Sequence, residues 1–285
     1  MARSRPCRRG GADLSAAFEV DAARRFGGID RLYGEGAHRR LGAAHACVIG
    51  IGGVGSWAAE ALARSGVGQL TLIDLDHVAE SNINRQVHAL EHTLGQAKVL
   101  AMAERIGAIN PLCRLRVVED FLTPDNAGEL LVGFDVVIDA IDNVRAKVAI
   151  AATCQARGLG LVMAGGAGGK TDPASIRVDD LARTVQDPLL SKVRARLRKE
   201  HRFSRDPKKK FGITAVFSVE PLRMPVRAAC DLDVEIPGAG EATPARGPHG
   251  LACAGYGSSM AMTASVGMFA AARAIERLLD VGRQS

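Results

Sequence analysis

A glycine-rich turn and the polar residues that follow it have the types and spacing needed to handle a nucleotide. The turn follows a short apolar run and carries Gly50, Gly52, Gly53 and Gly55. Glycine permits a tight turn and lets backbone N–H groups approach phosphate oxygens, and the N-terminus of a following helix adds a favourable dipole. Such a turn indicates a nearby phosphate and suits NAD as well as ATP, although a close-packed turn without a ligand has the same pattern.

Two acids come after the next apolar run. Asp74 lies roughly twenty residues after the glycines, where the acid of a dinucleotide fold hydrogen-bonds the ribose hydroxyls. A helix or turn cap is the alternative for this residue. Asp76 is explained equally well by turn capping and by ligand contact. We expect both acids to contact the nucleotide.

The residues after these acids favour ATP over a hydride carrier. They are Ser81, Asn82, Arg85, Gln86 and Lys98. Attack on the α-phosphate of ATP builds negative charge in the transition state, and a nearby cation stabilises that charge. Hydride transfer has little need for an Arg and a Lys at these positions. We therefore predict that Arg85 and Lys98 are catalytic, and that Ser81 and Asn82 also contact ATP.

A further acid–amide pair, Asp142 and Asn143, follows an apolar run that ends at Asp139. Ligands of open α/β sheets bind at the carboxyl ends of the strands. A carboxylate there can hold Mg²⁺ that bridges ATP phosphates. We predict that Asp142 is catalytic and binds Mg²⁺, and that Asn143 contacts ATP, although its position also suits a helix N-cap. Asp139 is either a supporting residue or a cap.

The elements that would position these residues alternate along the chain. Apolar runs predict strands at 45–50, 69–74, 114–119, 134–139 and 159–164. Helical patterns occupy 53–65, 96–110, 125–132 and 144–157. Strands that alternate with helices predict a Rossmann-like, mainly parallel α/β sheet with helices on both faces.

The later residues form a C-terminal α/β extension. It is predicted to contain strands at 175–179 and 211–220, helices at 188–201 and 258–279, and a loop at 227–250. We therefore divide the chain into a disordered basic arm (1–25), an ATP-binding adenylyltransferase core (26–170) and an extension for substrate binding and dimerisation (171–285). We expect the extension to pack on the core.

Charge points to a polyanionic partner. The chain of 285 residues has a net charge of +6, which suits nucleic acid without proving it. The candidates for nucleic-acid contacts crowd into one segment; they are Lys192, Arg194, Arg198, Arg202, Arg205, Lys208, Lys209 and Lys210. Contacts from such side chains to phosphates dominate affinity and weaken with salt. A solvated basic helix is the alternative. Phe203 and Phe211 are the candidates for base stacking.

The cysteines and one uncharged segment bear on location. None of the six cysteines forms a C-x-x-C pair, so we expect no structural zinc site of paired thiolates and a reduced, cytoplasmic protein. Cys230 and Cys253 stay open as reactive thiols. Residues 250–272 carry no charge and are long enough to span a bilayer. Their many small residues favour a buried core or dimer helix over membrane association.

Taken together, the motifs between 26 and 165 resemble the ubiquitin-activating-like superfamily of ThiF/MoeB/HesA adenylyltransferases. The resemblance implies that a substrate carboxylate attacks the α-phosphate of ATP, giving an acyl-adenylate and pyrophosphate. It also implies that Gly52 lies beside the adenosine and that the protein is a homodimer. Arg31 would then reach the ATP of the partner subunit and act as a further catalytic residue.

Two segments, 26–34 and 205–212, resemble the tRNA threonylcarbamoyladenosine dehydratases within that superfamily, and Asp179 and 187–194 fit the same group. This resemblance implies a tRNA partner and ATP-dependent cyclisation of its threonylcarbamoyladenosine with net loss of water. A cysteine desulfurase or sulfur acceptor is a further expected partner.

Three other functions stay open. One is activation of the C-terminus of a small ubiquitin-like sulfur carrier, against which the missing C-x-x-C pairs argue. Another is NAD(P)-dependent oxidoreduction, in which Arg85, Lys98 and Asp142 have no role. The last is nucleotide binding by a non-catalytic adaptor, for instance of a sulfur-transfer system, against which the intact set of candidate catalytic residues argues.

Overall fold

The computed structural model describes residues 20–223 and 256–281. Its helices are α1 (Ala22–Tyr33), α2 (Ala37–Ala43), α3 (Gly55–Arg64), α4 (Lys98–Ile109), α5 (Ala127–Leu130), α6 (Val144–Arg157), α7 (Pro188–Glu200) and α8 (Met260–Val281). Its strands are β1 (His45–Ile49), β2 (Gln69–Ile73), β3 (Arg114–Val118), β4 (Val136–Asp139), β5 (Gly160–Ala164), β6 (Ile176–Asp180) and β7 (Thr214–Ser218). Short 3₁₀ turns connect several of these elements.

The strands form one seven-stranded sheet in the order β3-β2-β1-β4-β5-β7-β6. Neighbouring strands are parallel from β3 to β7, with Ala46 beside both Leu70 and Val136, whereas β6 runs antiparallel to β7. The predicted mainly parallel α/β sheet is therefore confirmed. Because the chain leaves β1 for β2 on one side and later adds β4 on the other, a crevice opens at the carboxyl ends of β1 and β4, where ligands of such sheets bind.

Helices cover both faces of the sheet. Alternate residues of β1 point to opposite sides, as the pleat requires: Val48 belongs to the apolar cluster that contains residues of α2, α3, α4 and α8, and Cys47 to the cluster that contains residues of α6 and α7. Strands buried on both faces read as continuous apolar runs, which is why the sequence pattern located them well.

The extension does not form a separate layer, because β6 and β7 continue the same sheet. The sequence pattern missed α1 and α2 entirely. Helix α1 begins at Ala22, capped by the Asp21 side chain, so the predicted limit of the disordered arm at residue 25 is too late. Residues 1–19 of that arm and the predicted loop at 227–250 lie outside the described residues.

Helix α8 is a core helix. Its residues Met262, Val266 and Ala270 are buried in the cluster shared with α3. A Cβ on Gly267 would lie only 2.5 Å from the carbonyl oxygen of Val54, so the two helices approach closely. No helix in the described part of the chain is long and apolar enough to cross a membrane. The described part of the uncharged segment, 256–272, thus agrees with the prediction of a buried helix, which was preferred over membrane association.

Candidate active site

The glycine-rich turn joins β1 to α3 at the crevice. Gly50 has φ +85°, and a Cβ there would lie 2.8 Å from Cγ2 of Ile141. A Cβ on Gly55 would collide with the carbonyl oxygen of Gly50. These two glycines are therefore required by the packing of the turn itself. By contrast, a Cβ on Gly52 would meet no described atom within 4 Å, so this glycine faces open space, as a position beside a ligand requires.

Arg85 lies against this turn. Its side-chain carbons would be 3.2–3.3 Å from a Cβ on Gly53. The Arg85 Nη1 donates to the Ser81 carbonyl at 2.7 Å and to Asn84 Oδ1 at 2.9 Å. The Trp57 indole donates to the Arg85 carbonyl at 2.9 Å. The fold thus brings the predicted cation to the predicted glycine turn and holds its stem in place.

Asp74, at the end of β2, is tied to the same turn. One carboxylate oxygen accepts the Ile51 N–H at 2.6 Å, and the other accepts the Asp76 N–H at 2.9 Å. Burial raises the pKa of Asp74, and the charge of Lys98 opposes that rise. Asp74 therefore caps the turn, which was the alternative to ribose binding in the sequence analysis. It also lies within the crevice where a ribose is expected.

Lys98 begins α4 and pairs with Asp76. Its Nζ lies 2.7 Å from Asp76 Oδ2, and its backbone N–H donates to the Asp76 carbonyl at 2.9 Å. The Lys98 side chain is only 8% exposed, so it is not the solvated surface charge that an isolated lysine would be. Asp76 orients Lys98, which is a role that the sequence pattern could not assign.

The 3₁₀ turn Glu80–Asn82 supports this arrangement. The Asn82 side chain is buried and accepts the Ala79 N–H at 3.1 Å. Ser81 is exposed and contributes its carbonyl to Arg85. The Asn82 side chain therefore stabilises the turn, and the direct contacts of Ser81 and Asn82 with ATP stay predictions.

The turn after β4 completes the crevice. Asn143 caps α6 by accepting the N–H groups of Arg145 and Ala146 at 2.9 and 3.1 Å, which is the alternative that the sequence left open. Asp142 is partly exposed beside it. The described residues contain no cluster of three His, Cys, Asp or Glu side chains that could hold a metal. One carboxylate ligand is nevertheless enough for Mg²⁺, which commonly takes one or two carboxylates and completes its shell with phosphates and water.

Asp139 lies beneath this turn in a buried ion pair. Its Oδ1 is 3.0 Å from Lys147 Nζ, and both side chains are fully buried. Lys147 also donates to the Ala164 carbonyl at 2.8 Å, and the Ile141 N–H donates to Asp139 at 3.2 Å. Asp139 was expected to be either a supporting residue or a cap. It is a supporting residue, because it links β4, β5, α6 and the Asp142 turn.

Two features at the crevice were missed from the sequence. The start of α8 borders the site, since Asn84 Nδ2 donates to the Ser258 carbonyl at 2.9 Å and Thr263 approaches Gly53. Buried Lys170 follows β5 and donates to the Ser218 carbonyl at 2.8 Å. The second glycine-rich run, 165–170, was the signal for Lys170. The sequence carries no comparable signal for α8, because the contact between Asn84 and Ser258 joins residues that are 174 positions apart.

Glu220 lies near Lys170 and is held by backbone groups. Its carboxylate accepts the N–H groups of Asp172 and Thr171, each at 2.8 Å. These hydrogen bonds, that from Asp172 first, lower the pKa of Glu220 to about 2. The carboxyl ends of β5 and β7 therefore carry an ordered charged cluster next to the crevice.

Arg31 is exposed in the last turn of α1. Helix α1 packs through Phe26 on Gly66 after α3, and Arg25 donates to the carbonyl of Ile109 at the end of α4. These contacts place the start of α1 at the amino ends of the parallel strands, whereas the glycine turn lies at their carboxyl ends. No contact among the described residues brings Arg31 to the turn of its own subunit, and its role in a partner subunit stays a prediction.

The described cysteines are unsuited to thiol chemistry. Burial raises the pKa of Cys154 to about 12 and that of Cys113 to about 11, and it raises the pKa of Cys47 even further. A nucleophilic cysteine needs a lowered pKa. Cys230 and Cys253 lie outside the described residues.

The basic segment runs along α7 and into the loop that follows. Arg194 hydrogen-bonds Thr184 Oγ1, and Arg198 donates to the Ser204 carbonyl and lies over the Phe211 ring. Both guanidinium groups are thus engaged within the protein. The other candidates are exposed; they are Lys192, Arg202, Arg205, Lys208, Lys209 and Lys210.

A family model places this fold and site among known proteins. The model described as the ThiF family matches residues 28–285. The chain belongs to the ThiF family. This ThiF-family chain is 48% identical to the tRNA threonylcarbamoyladenosine dehydratase of Haemophilus influenzae over 258 residues, which cover 90% of this chain and 93% of that protein. It is 49% identical to the dehydratase of the same name from Escherichia coli over 259 residues, with the same coverage.

A solved structure supports the same grouping for this ThiF-family chain. The crystal structure of the tRNA N6-threonylcarbamoyladenosine dehydratase of Escherichia coli, TcdA, in complex with ATP superposes with a TM-score of 0.79 at 45% sequence identity. The match covers 92% of this chain and 97% of that one. The similarity therefore includes β6, β7 and α8 as well as the nucleotide-binding half.

Proposed function

We propose that this chain is an ATP-dependent tRNA threonylcarbamoyladenosine dehydratase. The observation that carries the proposal is the near full-length similarity to a dehydratase of that name in complex with ATP. The geometry agrees with it, because Arg85 lies against the glycine turn and Lys98 is held beside Asp76 near Asp74. A hydride-transfer enzyme has no use for these two cations. The enzyme activates the carboxylate of the threonylcarbamoyl group by adenylation.

ATP lies along the crevice in this proposal, with its phosphates over the turn from Gly50 to Gly55 and its ribose near Asp74. Arg85 and Lys98 stabilise the negative charge that develops at the α-phosphate. Asp142 would hold Mg²⁺, which would neutralise charge on the phosphate oxygens. Asp76 and Asp139 are positioning residues, since they act through Lys98 and through the Asp142 turn.

The reaction proceeds in two steps. A carboxylate oxygen of the substrate bonds to the α-phosphorus, and the bond to the leaving pyrophosphate breaks. A nucleophilic atom of the same modified nucleoside then attacks the acyl carbon, and AMP leaves with the former carboxylate oxygen. The ring closes with net loss of water, and no enzyme thiol is required, in agreement with the raised pKa values of the described cysteines.

The active enzyme in this proposal is a cytoplasmic homodimer, in which Arg31 of each subunit reaches the ATP of the other. The position of the start of α1, at the amino ends of the parallel strands and away from its own glycine turn, supports action between subunits. Residues 26–170 supply the ATP site, and the later residues supply tRNA contacts. Mixing inactive Arg31→Ala subunits with inactive Asp142→Ala subunits should restore activity, because hybrid dimers contain one intact site.

The direct test is incubation of the protein with ATP, Mg²⁺ and tRNA that bears threonylcarbamoyladenosine. Mass spectrometry should show a nucleoside lighter by one water, with pyrophosphate released in equal amount. Asp142→Ala should abolish both signals while the circular dichroism spectrum stays unchanged. Wild-type rates in this variant would contradict the site, and adenylation of a sulfur carrier's C-terminus in place of tRNA dehydration would contradict the proposed substrate.

A further inference from the structure

A basic cavity lies between the second half of α6, the end of α7 and the loop 201–211. Its volume is about 420 Å³. Its lining combines cationic side chains, aromatic rings and an amide; it includes Arg202, Lys209, Lys210, Phe203, Phe211 and Gln155. The combination of cations, an aromatic ring and an amide is typical of sites that bind RNA nucleotides.

The cavity lies at the amino ends of the parallel strands, whereas the ATP crevice lies at their carboxyl ends. Helix α7 starts on the crevice side, where its cap Asp187 accepts the Gly166 N–H after β5 at 2.9 Å. The cavity end is anchored by Asp180, which accepts the N–H groups of Phe211 and Gly212 at 2.8 Å beside the start of β7. Helix α7 has 13 residues and therefore separates the cavity from the crevice by about 20 Å, at 1.5 Å per residue.

The positive charge of the cavity is not compensated within the protein. Lys and Arg greatly outnumber the acidic residues Glu200 and Asp206 between 192 and 210. Glu200 pairs with Arg196 at 2.9 Å, and Asp206 accepts the Lys208 N–H at 2.9 Å. Arg202, Lys209 and Lys210 take part in none of the ion pairs formed among the described residues. Clustered like charges destabilise a fold by repulsion, so stability does not explain them.

The loop at the cavity begins with the left-handed end of α7. Arg202, directly after the C-cap His201, has φ +58°, and the Phe203 N–H donates to the Leu197 carbonyl at 3.3 Å. A left-handed residue with such a hydrogen bond is a common way for a helix to end, and it turns the chain into the cavity. Here Phe203 packs edge-on against Phe211, with ring centres 4.9 Å apart, and braces the loop.

A basic stripe connects the cavity with the crevice. Lys192, Arg196 and Lys199 lie at helical spacing on α7, on the side away from the buried Leu190, Val193 and Leu197. Residues spaced by three or four positions share one face of a helix. A polyanion that enters the crevice can therefore follow α7 to the cavity.

We propose that this cavity binds a nucleotide of the tRNA substrate about 20 Å from the modified adenosine, with its phosphate on Arg202, Lys209 and Lys210 and its base against Phe203. This inference rests on the proposed function, since it concerns how the same RNA is held. The RNA lies along α7, with its modified loop at the ATP crevice. Recognition of the tRNA thus needs contacts both at the ATP crevice and at the cavity.

The test is binding of an unmodified transcript of the substrate tRNA, measured by fluorescence anisotropy over a range of salt concentrations. The variant R202Q/K209Q/K210Q should bind roughly tenfold more weakly, and the slope of log K against log salt should become shallower by about one to three. Affinity for ATP should stay unchanged. The control R114Q/R116Q removes two exposed charges from β3, the strand at the other end of the strand order from β6, and should bind tRNA like the wild type.

A conservative variant separates charge from folding. R202K/K209R/K210R keeps every charge and should bind tRNA within about twofold of the wild type. Wild-type affinity and slope in R202Q/K209Q/K210Q, or an equal loss in the control or conservative variant, would overturn the cavity proposal while leaving the dehydratase intact. Failure of the wild type itself to dehydrate tRNA would instead overturn the proposed function.

Discussion

The ion pair between Lys98 and Asp76 shows how the site holds a cation near the nucleotide. Lys98 is almost fully buried, whereas Asp76 is 54% exposed. A lysine at this depth needs a partner, because a buried charge without one is costly. Asp76 thus orients the ammonium group of Lys98, and the charge of Lys98 opposes the rise that burial causes in the pKa of Asp74.

At the residue scale, removal of the cation should cost more than removal of its partner. We expect Lys98→Met to lower kcat for tRNA-dependent pyrophosphate release about 100-fold or more, as loss of a group that stabilises transition-state charge does. Asp76→Asn should lower it less, because Lys98 stays in place with freer geometry. The control Arg64→Gln removes an exposed ion-paired cation of α3 and should retain wild-type kcat. An equal loss for Asp76→Asn and Lys98→Met would show that Asp76 contacts the reacting groups itself.

At the scale of elements, local signals predicted most of the fold. Helix α6 was predicted at its observed bounds because Asn143 caps its start and Gly158, with φ +66°, ends it. Such caps are readable in a sequence. Helix α1 was missed because Gly27 and Gly28 interrupt its pattern. The antiparallel direction of β6 and the contact of Asn84 with Ser258 depend on long-range packing, which local patterns do not record.

The close contact between α8 and α3 gives an element-scale prediction. Gly267→Ala should destabilise the protein by about 1–3 kcal/mol, because the new methyl group would meet the backbone of Val54 and push the helices apart. The matched change Gly107→Ala lies in α4, where a Cβ would meet no described atom within 4 Å. It should be neutral or gain up to about 1 kcal/mol. Urea denaturation measures both, and equal midpoints for the two variants would contradict this packing.

At the scale of the whole molecule, one buried histidine should make folding sensitive to acid. His88 is 1% exposed, and burial, with help from Lys98 and Arg105, lowers its pKa to about 4. Below its ordinary pKa of about 6.5 the unfolded chain binds a proton that the folded chain does not, so stability is lost as the pH falls. By pH 4 the loss from this group approaches roughly 3 kcal/mol.

The variant His88→Leu isolates this effect. Its free energy of unfolding, measured in urea between pH 7 and 4, should fall less steeply than that of the wild type because the titrating group is gone. His92→Leu removes an exposed histidine and serves as the control, with a pH dependence like that of the wild type. Parallel curves for the wild type and His88→Leu would show that His88 does not titrate differently on folding.

The hydrogen bonds that join the start of α8 to Asn84 have a consequence for how the protein is made. The Asn84 side chain and carbonyl bind Ser258 and Met260, beside Arg85 and the glycine turn. Residues 256–281 leave the ribosome after all the other described elements. The nucleotide pocket therefore gains this wall only after residues 256–281 have been translated. A nascent chain that already has its sheet but lacks α8 should still bind ATP poorly.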